Sequence, residues 1–231
     1  MINDKSVLAI TLARGGSKGV VKKNIVNING KPLLQYTIDE VKKSKYIDNY
    51  IVSTDDDDIH DVCNKLDTKS FSRKPASDTQ STADGLLEVM NYIEHQDVKY
   101  DYIIEIMCTN PLKSIKDIDG VIEKLDETGA DSVVSVVRIW DNHPSRVKYI
   151  ENDRLIDFYP EPLESRRQDL TPAAYVRNGS IYAMTYNQLD NNKTRLGKDT
   201  RAYIMSANNT INIDEPIDLK LAELMLFERE I

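Results

Sequence analysis

The sequence predicts an α/β domain with a mostly parallel sheet and helices on both faces. Two observations carry that prediction. Short apolar runs of strand length alternate with longer segments whose apolar residues recur at helical spacing. No internal repeat, low-complexity tract or Gly/Ser linker interrupts the 231 residues, so residues 1–231 read as one domain.

Val7 to Leu12 is apolar throughout, apart from Thr11, and reads as a buried strand. Pro32 to Lys43 follows as a helix, with Leu33, Leu34, Thr37, Ile38 and Val41 on one face. Tyr50 to Ser53 is the next strand. Thr54 and Asp55 are candidate caps for a helix running through Leu66. The alternation continues through a helix at Asp84 to His95, a strand at Tyr102 to Met107, a helix at Ile115 to Leu125 and a strand at Ser132 to Val137. It breaks between Arg138 and Thr171, where Trp140, His143, Pro144, Pro160 and Pro162 punctuate two strand-like pieces around a turn at Glu151 to Asp153. Residues 138–171 therefore read as an inserted arm. An arm too small to bury itself packs on another surface, here a second copy of the chain. Strands at Gly179 to Met184 and Tyr203 to Met205 lead to a closing helix, Pro216 to Arg229, with an expected buried face at Ile217, Leu221, Leu224 and Met225.

Composition narrows the function. With 30 Lys and Arg against 38 Asp and Glu, the formal net charge is −8, which repels a nucleic-acid backbone. Apolar runs fall well short of the roughly 20 residues of a membrane-spanning helix. The amino terminus lacks a secretory pattern, and two distant cysteines, Cys63 and Cys108, suit reduced thiols, so a cytoplasmic location is expected.

Against this acidic background, the stretch from Lys5 to Gln35 holds six basic residues and no acid. Its loop, Arg14-Gly15-Gly16-Ser17-Lys18-Gly19, follows the first strand. Glycines there let backbone N–H groups approach an anion, and Arg and Lys neutralise phosphate charge. The spacing is neither a Walker A loop nor a GxGxxG fingerprint. The four acids Asp55 to Asp58 read as a solvated helix start rather than a metal site. In the Asn212-Ile213-Asp214 segment, residues two apart on an extended strand put two oxygens on one side, which suits Mg²⁺ beside phosphates. A capping role for Asp214 at the Pro216 helix is the alternative. His60, His95 and His143 show no ligand spacing.

The segment ARGGSKGVVKKN resembles the opening motif of the acylneuraminate (CMP-sialic acid) cytidylyltransferases. Six further segments recur in family order: GKPLLQYTI, VSTDD, RKPASDTQST, TNPL, RQDLTPAAYVRNGSIY and NIDEPIDL. The resemblance implies a Rossmann-like nucleotidyltransferase domain with a dimerisation arm, using CTP, an acidic nonulosonate sugar and Mg²⁺ to make a CMP-sugar and pyrophosphate. It implies that Arg14, Gly15, Ser17, Lys23 and Asn24 hold the triphosphate and that Arg73, Asp78 and Thr82 hold the nucleoside. Asp78 and Thr82 serve equally well as caps for a helix beginning near Ser81. Asp214 and Asn212 are the implied metal ligands, with Asn212 standing where the family more often has a second acid. Arg14, Lys23 and Asp214 are the implied catalytic residues, and no general base is identifiable. For the sugar it implies Met107, Arg146, Arg167, Asn178 and Tyr182, with Arg166 an alternative to Arg167 for the carboxylate. Arg146 matches a basic residue donated by the partner subunit. Met107 replaces a glutamine of the family, which suggests a modified nonulosonate. The 3-deoxy-manno-octulosonate cytidylyltransferases, and a nucleotide-binding protein without turnover, remain the competing readings.

Overall fold

The computed structural model describes residues 1–17, 19–75, 81–162 and 165–229. Eleven strands occur among them: β1 (Val7–Leu12), β2 (Asn27–Ile28), β3 (Lys31–Pro32), β4 (Asn49–Thr54), β5 (Lys69–Ser72), β6 (Tyr102–Ile106), β7 (Ser132–Ile139), β8 (Lys148–Glu151), β9 (Arg154–Asp157), β10 (Ala174–Thr185) and β11 (Thr200–Ile204). The helices are α1 (Leu33–Val41), α2 (Asp57–Lys65), α3 (Thr82–Glu94), α4 (Ile115–Thr128), α5 (Tyr186–Asn192) and α6 (Pro216–Arg229). Seven strands form one sheet in the order β11-β7-β10-β6-β1-β4-β5. All neighbours pair in parallel except β10, which runs antiparallel to both β6 and β7. That exception follows from the connection: the chain travels from β7 to β10 through the arm, without the crossover helix that a parallel pairing needs.

Both sheet faces are covered, which is why the central strands read as continuous apolar runs. On β1, Val7 and Ala9 join Ile104, Ile106, Ile118, Val121, Ile122 and Leu125 under α4, while Leu8 and Ile10 join Leu86, Val89, Met90, Ile93 and Ile103 under α3. Each such fully buried aliphatic side chain contributes about 1.5–3 kcal/mol relative to exposure. The chain order turns back at β1: β4 and β5 lie on one side of it, β6 and β10 on the other. The carboxyl ends of β1, β4 and β6 therefore open a crevice at a topological switch point, where ligands of open α/β sheets bind.

The helix starts show where cap chemistry overrode the sequence reading. The cap of α2 is Asp56, whose side chain accepts from the N–H groups of Asp58 and Ile59, rather than Thr54 or Asp55. Helix α3 starts at Thr82, two residues before the expected Asp84, because Ser81 and Asp84 form a reciprocal capping box. Thr82 is thus the first helical residue and does not cap. Helix α4 has the same box from Ser114 and Asp117 and ends at Gly129, which supplies the left-handed φ of 62°. Strand β10 is longer than expected, reaching back to Ala174, with an irregular register between Arg177 and Tyr182.

The expected buried face of the closing helix was wrong. Ile217, Leu221 and Leu224 are exposed on α6. Ala222 and Leu226 are buried, with Leu219 and Met225 beside them, against Ile28, Leu33, Leu112, Ile211 and Ile213. Apolar residues surround this helix, so periodicity alone did not choose the face.

Strand β7 keeps Arg138 and Ile139 in the sheet, so the first two residues of the expected 138–171 arm belong to it. The arm carries the β8–β9 hairpin, with Tyr149 and Phe158 rings 5.2 Å apart, and exposes Ile150, Leu155, Phe158 and Tyr159. No described helix is long and apolar enough to cross a membrane.

Ser114→Ala should cost about 1 kcal/mol by removing the α4 cap, lowering Tm by about 2–4 °C for a domain of this size. A thermal melt followed by circular dichroism measures it. An unchanged Tm would show that Asp117 alone sustains the helix start.

Candidate active site

The acid-free loop emerges from the carboxyl end of β1 and is held in shape by residues from four other segments. The Ala13 N–H donates to the Ser53 carbonyl at 2.9 Å, and the Gly15 N–H donates to Asp55 Oδ1 at 2.8 Å. Asn24, buried, donates from Nδ2 to the Arg14 carbonyl at 2.8 Å and accepts from Cys108 Sγ at 3.0 Å. Lys22 pairs with Asp58. The acids after β4 are therefore not simply solvated: Asp55 and Asp58 tether the basic loop, and Asp56 caps α2.

Lys23 closes the loop on its other side. Its ammonium donates to the Ile213 carbonyl at 2.7 Å and to Asp214 Oδ1 at 2.9 Å. Gly19 lies so near this segment that an added Cβ would sit 2.1 Å from the Asp214 carbonyl oxygen. A Cβ on Gly15 would sit 2.3 Å from Asp56 Oδ2. These two glycines are required by close approach. Arg14, Ser17, Lys23, Asn24, Thr109 and Asp214 line a cleft of about 260 Å³ between the loop and the 211–214 segment. A larger surface depression, about 590 Å³ and lined by Lys5, Lys99 and Tyr186, lies at the amino ends of the strands. The charge and the motifs favour the smaller cleft.

Residues 211–214 are extended but not a sheet strand. Their alternation holds nonetheless: Ile211 and Ile213 are buried, Asn212 and Asp214 exposed, and Asn212 Nδ2 donates to Asp214 Oδ2 at 2.5 Å. Asp214 does not cap α6. Its carboxylate goes to Lys23 and Asn212, and Asp218, in the first turn of the helix, reaches back to accept from the N–H groups of Asp214 and Glu215 at 3.0 and 2.8 Å. Among the described residues no cluster of three or more His, Cys, Asp or Glu could cage a metal. Asp214 is an exposed carboxylate at the cleft and so fits Mg²⁺, a hard ion that keeps waters and takes phosphate oxygens for most of its shell, while Asn212 meets that carboxylate with its amide nitrogen and turns its oxygen toward Gly179.

The 107–112 loop after β6 joins the two halves. Its Cys108 touches Asn24, and its Thr109 carbonyl accepts from the Ile213 N–H at 2.9 Å. Beneath it lies Lys113, fully buried, donating to Thr37 Oγ1, the Met107 carbonyl and the Asn110 carbonyl at 2.7, 2.9 and 2.6 Å. Burial pushes its ammonium down to about 7 and the Cys108 thiol up to about 11, so Cys108 is not a nucleophile. Around this crevice Ser53 Oγ, Arg73 Nε, Thr109 Oγ1, Asn110 Nδ2 and Ser180 Oγ are buried without a hydrogen-bond partner among the described residues. A buried polar atom without a partner calls for an explanation, and an ordered water or a bound polar ligand supplies one. Of them only Arg73 was singled out from the sequence. Thr109 and Asn110 lie in the TNPL segment and Ser180 in the NGSIY segment, so the motifs pointed to them without giving them roles.

The remaining candidates disperse. Arg73 follows β5, and burial lowers its guanidinium against the opposing pull of Asp55 and Glu88; its Nη1 lies 3.4 Å from where a Gly85 Cβ would stand, at the start of α3 beside Thr82. Asp78 lies outside the described residues. Asn178 is spent on the scaffold, accepting from Ser135 Oγ at 2.7 Å and donating to Thr210 Oγ1 at 3.2 Å and Met205 Sδ at 3.0 Å. Met107 and Tyr182 share the apolar cluster under α3. Arg146 and Arg167 meet in the arm on Asp141, at 3.6 and 3.2 Å, and Arg166 pairs with Asp169. His60 lies between Ser70 Oγ and Ser72 Oγ, and buried His143 bonds Ser145 Oγ and the Pro172 carbonyl.

A family model described as cytidylyltransferase matches residues 8–224. The chain belongs to the cytidylyltransferase family. It is 27% identical over 232 residues to post-translational flagellin modification protein B of Campylobacter coli, covering 97% of both chains. With the CMP-N,N'-diacetyllegionaminic acid synthase of Campylobacter jejuni it shares 27% identity, covering 95% of this chain and 94% of the relative. It is 32% identical to N-acylneuraminate cytidylyltransferase A of Danio rerio over 95% of its own length and 50% of that protein. Among solved structures, CMP:2-keto-3-deoxy-manno-octonic acid synthetase complexed with CTP superposes with a TM-score of 0.74 at 22% identity, covering 98% of this chain and 100% of that one. The shared fold is the mostly parallel sheet with flanking helices, and the arm is outside what that likeness establishes.

Gly19→Ala should leave the cooperative unfolding transition intact while lowering kcat/KM for CTP about 100-fold, because the added methyl drives the loop off the Asp214 backbone. Thermal melts alongside steady-state kinetics check this. Wild-type kinetics would show that the loop's docking on Asp214 is dispensable.

Proposed function

We propose that the protein transfers CMP from CTP to an acidic nine-carbon keto sugar of the nonulosonate class, releasing pyrophosphate. The observation that carries this reading is the basic loop docked through Lys23 on the Asp214 segment, with orphaned buried polar atoms around the adjoining crevice. The names of the Campylobacter and Danio relatives support the sugar class. In the reaction a sugar hydroxyl attacks the α-phosphorus, the new O–P bond forms as the bond to the β-phosphate oxygen breaks, and the hydroxyl proton passes to solvent or a phosphate oxygen. Arg14 and Lys23 neutralise phosphate charge, the loop amides that follow Gly15 fix the chain of phosphates, and the crevice aligns the hydroxyl. Asp214 with Asn212 would hold Mg²⁺, which would add charge neutralisation at the phosphates. Arg73 and Thr82 serve the nucleoside. Met107, Tyr182 and the orphaned Ser180 form the sugar side, and Arg167 or Arg166 takes the carboxylate. The buried free thiols of Cys63 and Cys108 suit a cytoplasmic setting. Incubation with CTP, Mg²⁺ and either a nine-carbon or an eight-carbon acidic keto sugar, reading pyrophosphate, tests the assignment; turnover of only the eight-carbon acceptor would overturn it.

Asp214→Asn should lower the rate at least about tenfold and shift half-saturation to higher Mg²⁺, as expected for a ligand to the ion. Asn212→Asp should shift it to lower Mg²⁺ with little change in the maximum rate. If Asp214 serves only as counter-ion to Lys23, the Asp214→Asn loss will be the same at every Mg²⁺ concentration.

The exposed apolar hairpin of the arm supports a homodimer in which Arg146 reaches the partner's sugar site. Light scattering at micromolar concentration should give twice the chain mass. Ile150→Glu combined with Leu155→Glu should give the single mass with less than about a tenth of the activity, given the effect of a displaced binding residue. A monomeric wild type with full turnover would refute the arm's role.

A further inference from the structure

Glu105 is a carboxylate in the middle of a sheet, on central strand β6, and is only 2% exposed. Burial raises its proton affinity, and Arg195, ninety residues further along, opposes that with a hydrogen bond from Nη1 to Glu105 Oε2 at 2.6 Å. The Arg195 guanidinium also stacks over the Tyr182 ring, 4.1 Å from its centroid. A buried ion pair is weak evidence for stability, since desolvation offsets most of its attraction. Its position gives it another use.

By the pairing of β6 with β10, Tyr182 stands opposite Glu105, and the Met107 N–H donates to the Ser180 carbonyl. Strand alternation therefore puts Glu105, Met107, Ser180 and Tyr182 on one face. Met107 and Ser180 form the row nearer the crevice, and Glu105 and Tyr182 the row below. Ser180 Oγ is a buried polar atom in this wall without a hydrogen-bond partner among the described residues. Arg195 covers the lower row with its side chain 22% exposed, and among the described residues its one hydrogen bond goes to Glu105. A guanidinium carries five N–H donors and no acceptor, so the bond to Glu105 leaves donors to spare on a partly exposed side chain.

We propose that Arg195 is a specificity-determining residue of the sugar pocket, donating to an uncharged acceptor such as an acylamino carbonyl oxygen, with Glu105 as the positioning residue that aims it. The charge balance selects the acceptor. Glu105 already neutralises the guanidinium, so the pair offers directed donors rather than net positive charge, and the sugar's carboxylate is better served by the arm arginines. The proposal rests on the nonulosonate reading above and extends it to a substituent.

The test uses full-length protein, saturating CTP and two acidic nine-carbon sugars, one bearing acylamino groups and one with hydroxyls in their place. Arg195→Met alone strands a buried carboxylate, so the informative variant is the double Glu105→Leu/Arg195→Met, which replaces the pair by apolar groups. Expected are a Tm and a KM for CTP close to wild type, with kcat/KM for the acylamino sugar reduced about tenfold or more relative to the hydroxyl sugar, the loss that follows from one charge-assisted hydrogen bond. Glu105→Gln should lie between wild type and the double variant. A double variant with wild-type preference between the two sugars would overturn the proposal and leave the pair a purely internal contact. Failure of the sugar-class reading is distinguishable, because it would appear in the wild type as turnover of neither sugar, and it would remove this proposal too.

Discussion

The site depends on one buried ammonium. Lys113 lies under the 107–112 loop and binds two of its carbonyls together with Thr37 of α1, so the loop is fastened from below to the helix that follows the phosphate segment. From above, the same loop holds the phosphate segment through Cys108 and Asn24 and the 211–214 segment through Thr109 and Ile213. Arg229, at the end of α6, reaches the Leu112 carbonyl at 2.6 Å and closes the circuit. None of these segments belongs to the sheet. Their mutual placement at the carboxyl ends of the strands is a matter of polar contacts, and an amine nitrogen on a long side chain reaches three backbone and hydroxyl oxygens where no apolar side chain could.

The sheet was legible because its strands are buried on both faces and separated by helices with clear apolar stripes. Val7 to Leu12 appears in the structure with the boundaries the sequence implied, and the break in the sequence pattern precedes β10, the one antiparallel strand of the main sheet. Strand β5 was missed: Lys69, Ser70, Phe71 and Ser72 make an edge strand with little apolar content. Helix α6 was found but turned the wrong way, because its apolar residues exceed one face. The site was legible as a list of segments and not as an arrangement. Sequence showed that the loop was basic and glycine-rich. It could not show that Asp55 and Asp58 secure it, since consecutive acids at a helix start have a sufficient local explanation in the helix dipole. Asn178 shows the converse, a motif residue whose amide the surrounding scaffold consumes.

The two arginines expected to meet the sugar, Arg146 and Arg167, share a single acid, Asp141. Arg167 and Asp141 are more than half exposed, so that ion pair is worth less than about 1 kcal/mol and a better-placed carboxylate can replace it. Arg167 can thus be released at little cost, whereas Arg146 is held further by Glu161 at 3.4 Å and by the Ser165 carbonyl at 2.7 Å.

The tethering of the phosphate loop also bears on how quickly a nucleotide is captured. Gly15, Asn24, Lys22 and Lys23 are each fixed by a contact within the protein, so an arriving triphosphate has little backbone left to order and retains more of its contact energy as affinity. The surrounding molecule is strongly anionic while this one loop is cationic, so the field around it narrows toward a single entrance. Capture of CTP should then be governed by ionic strength through its association rate.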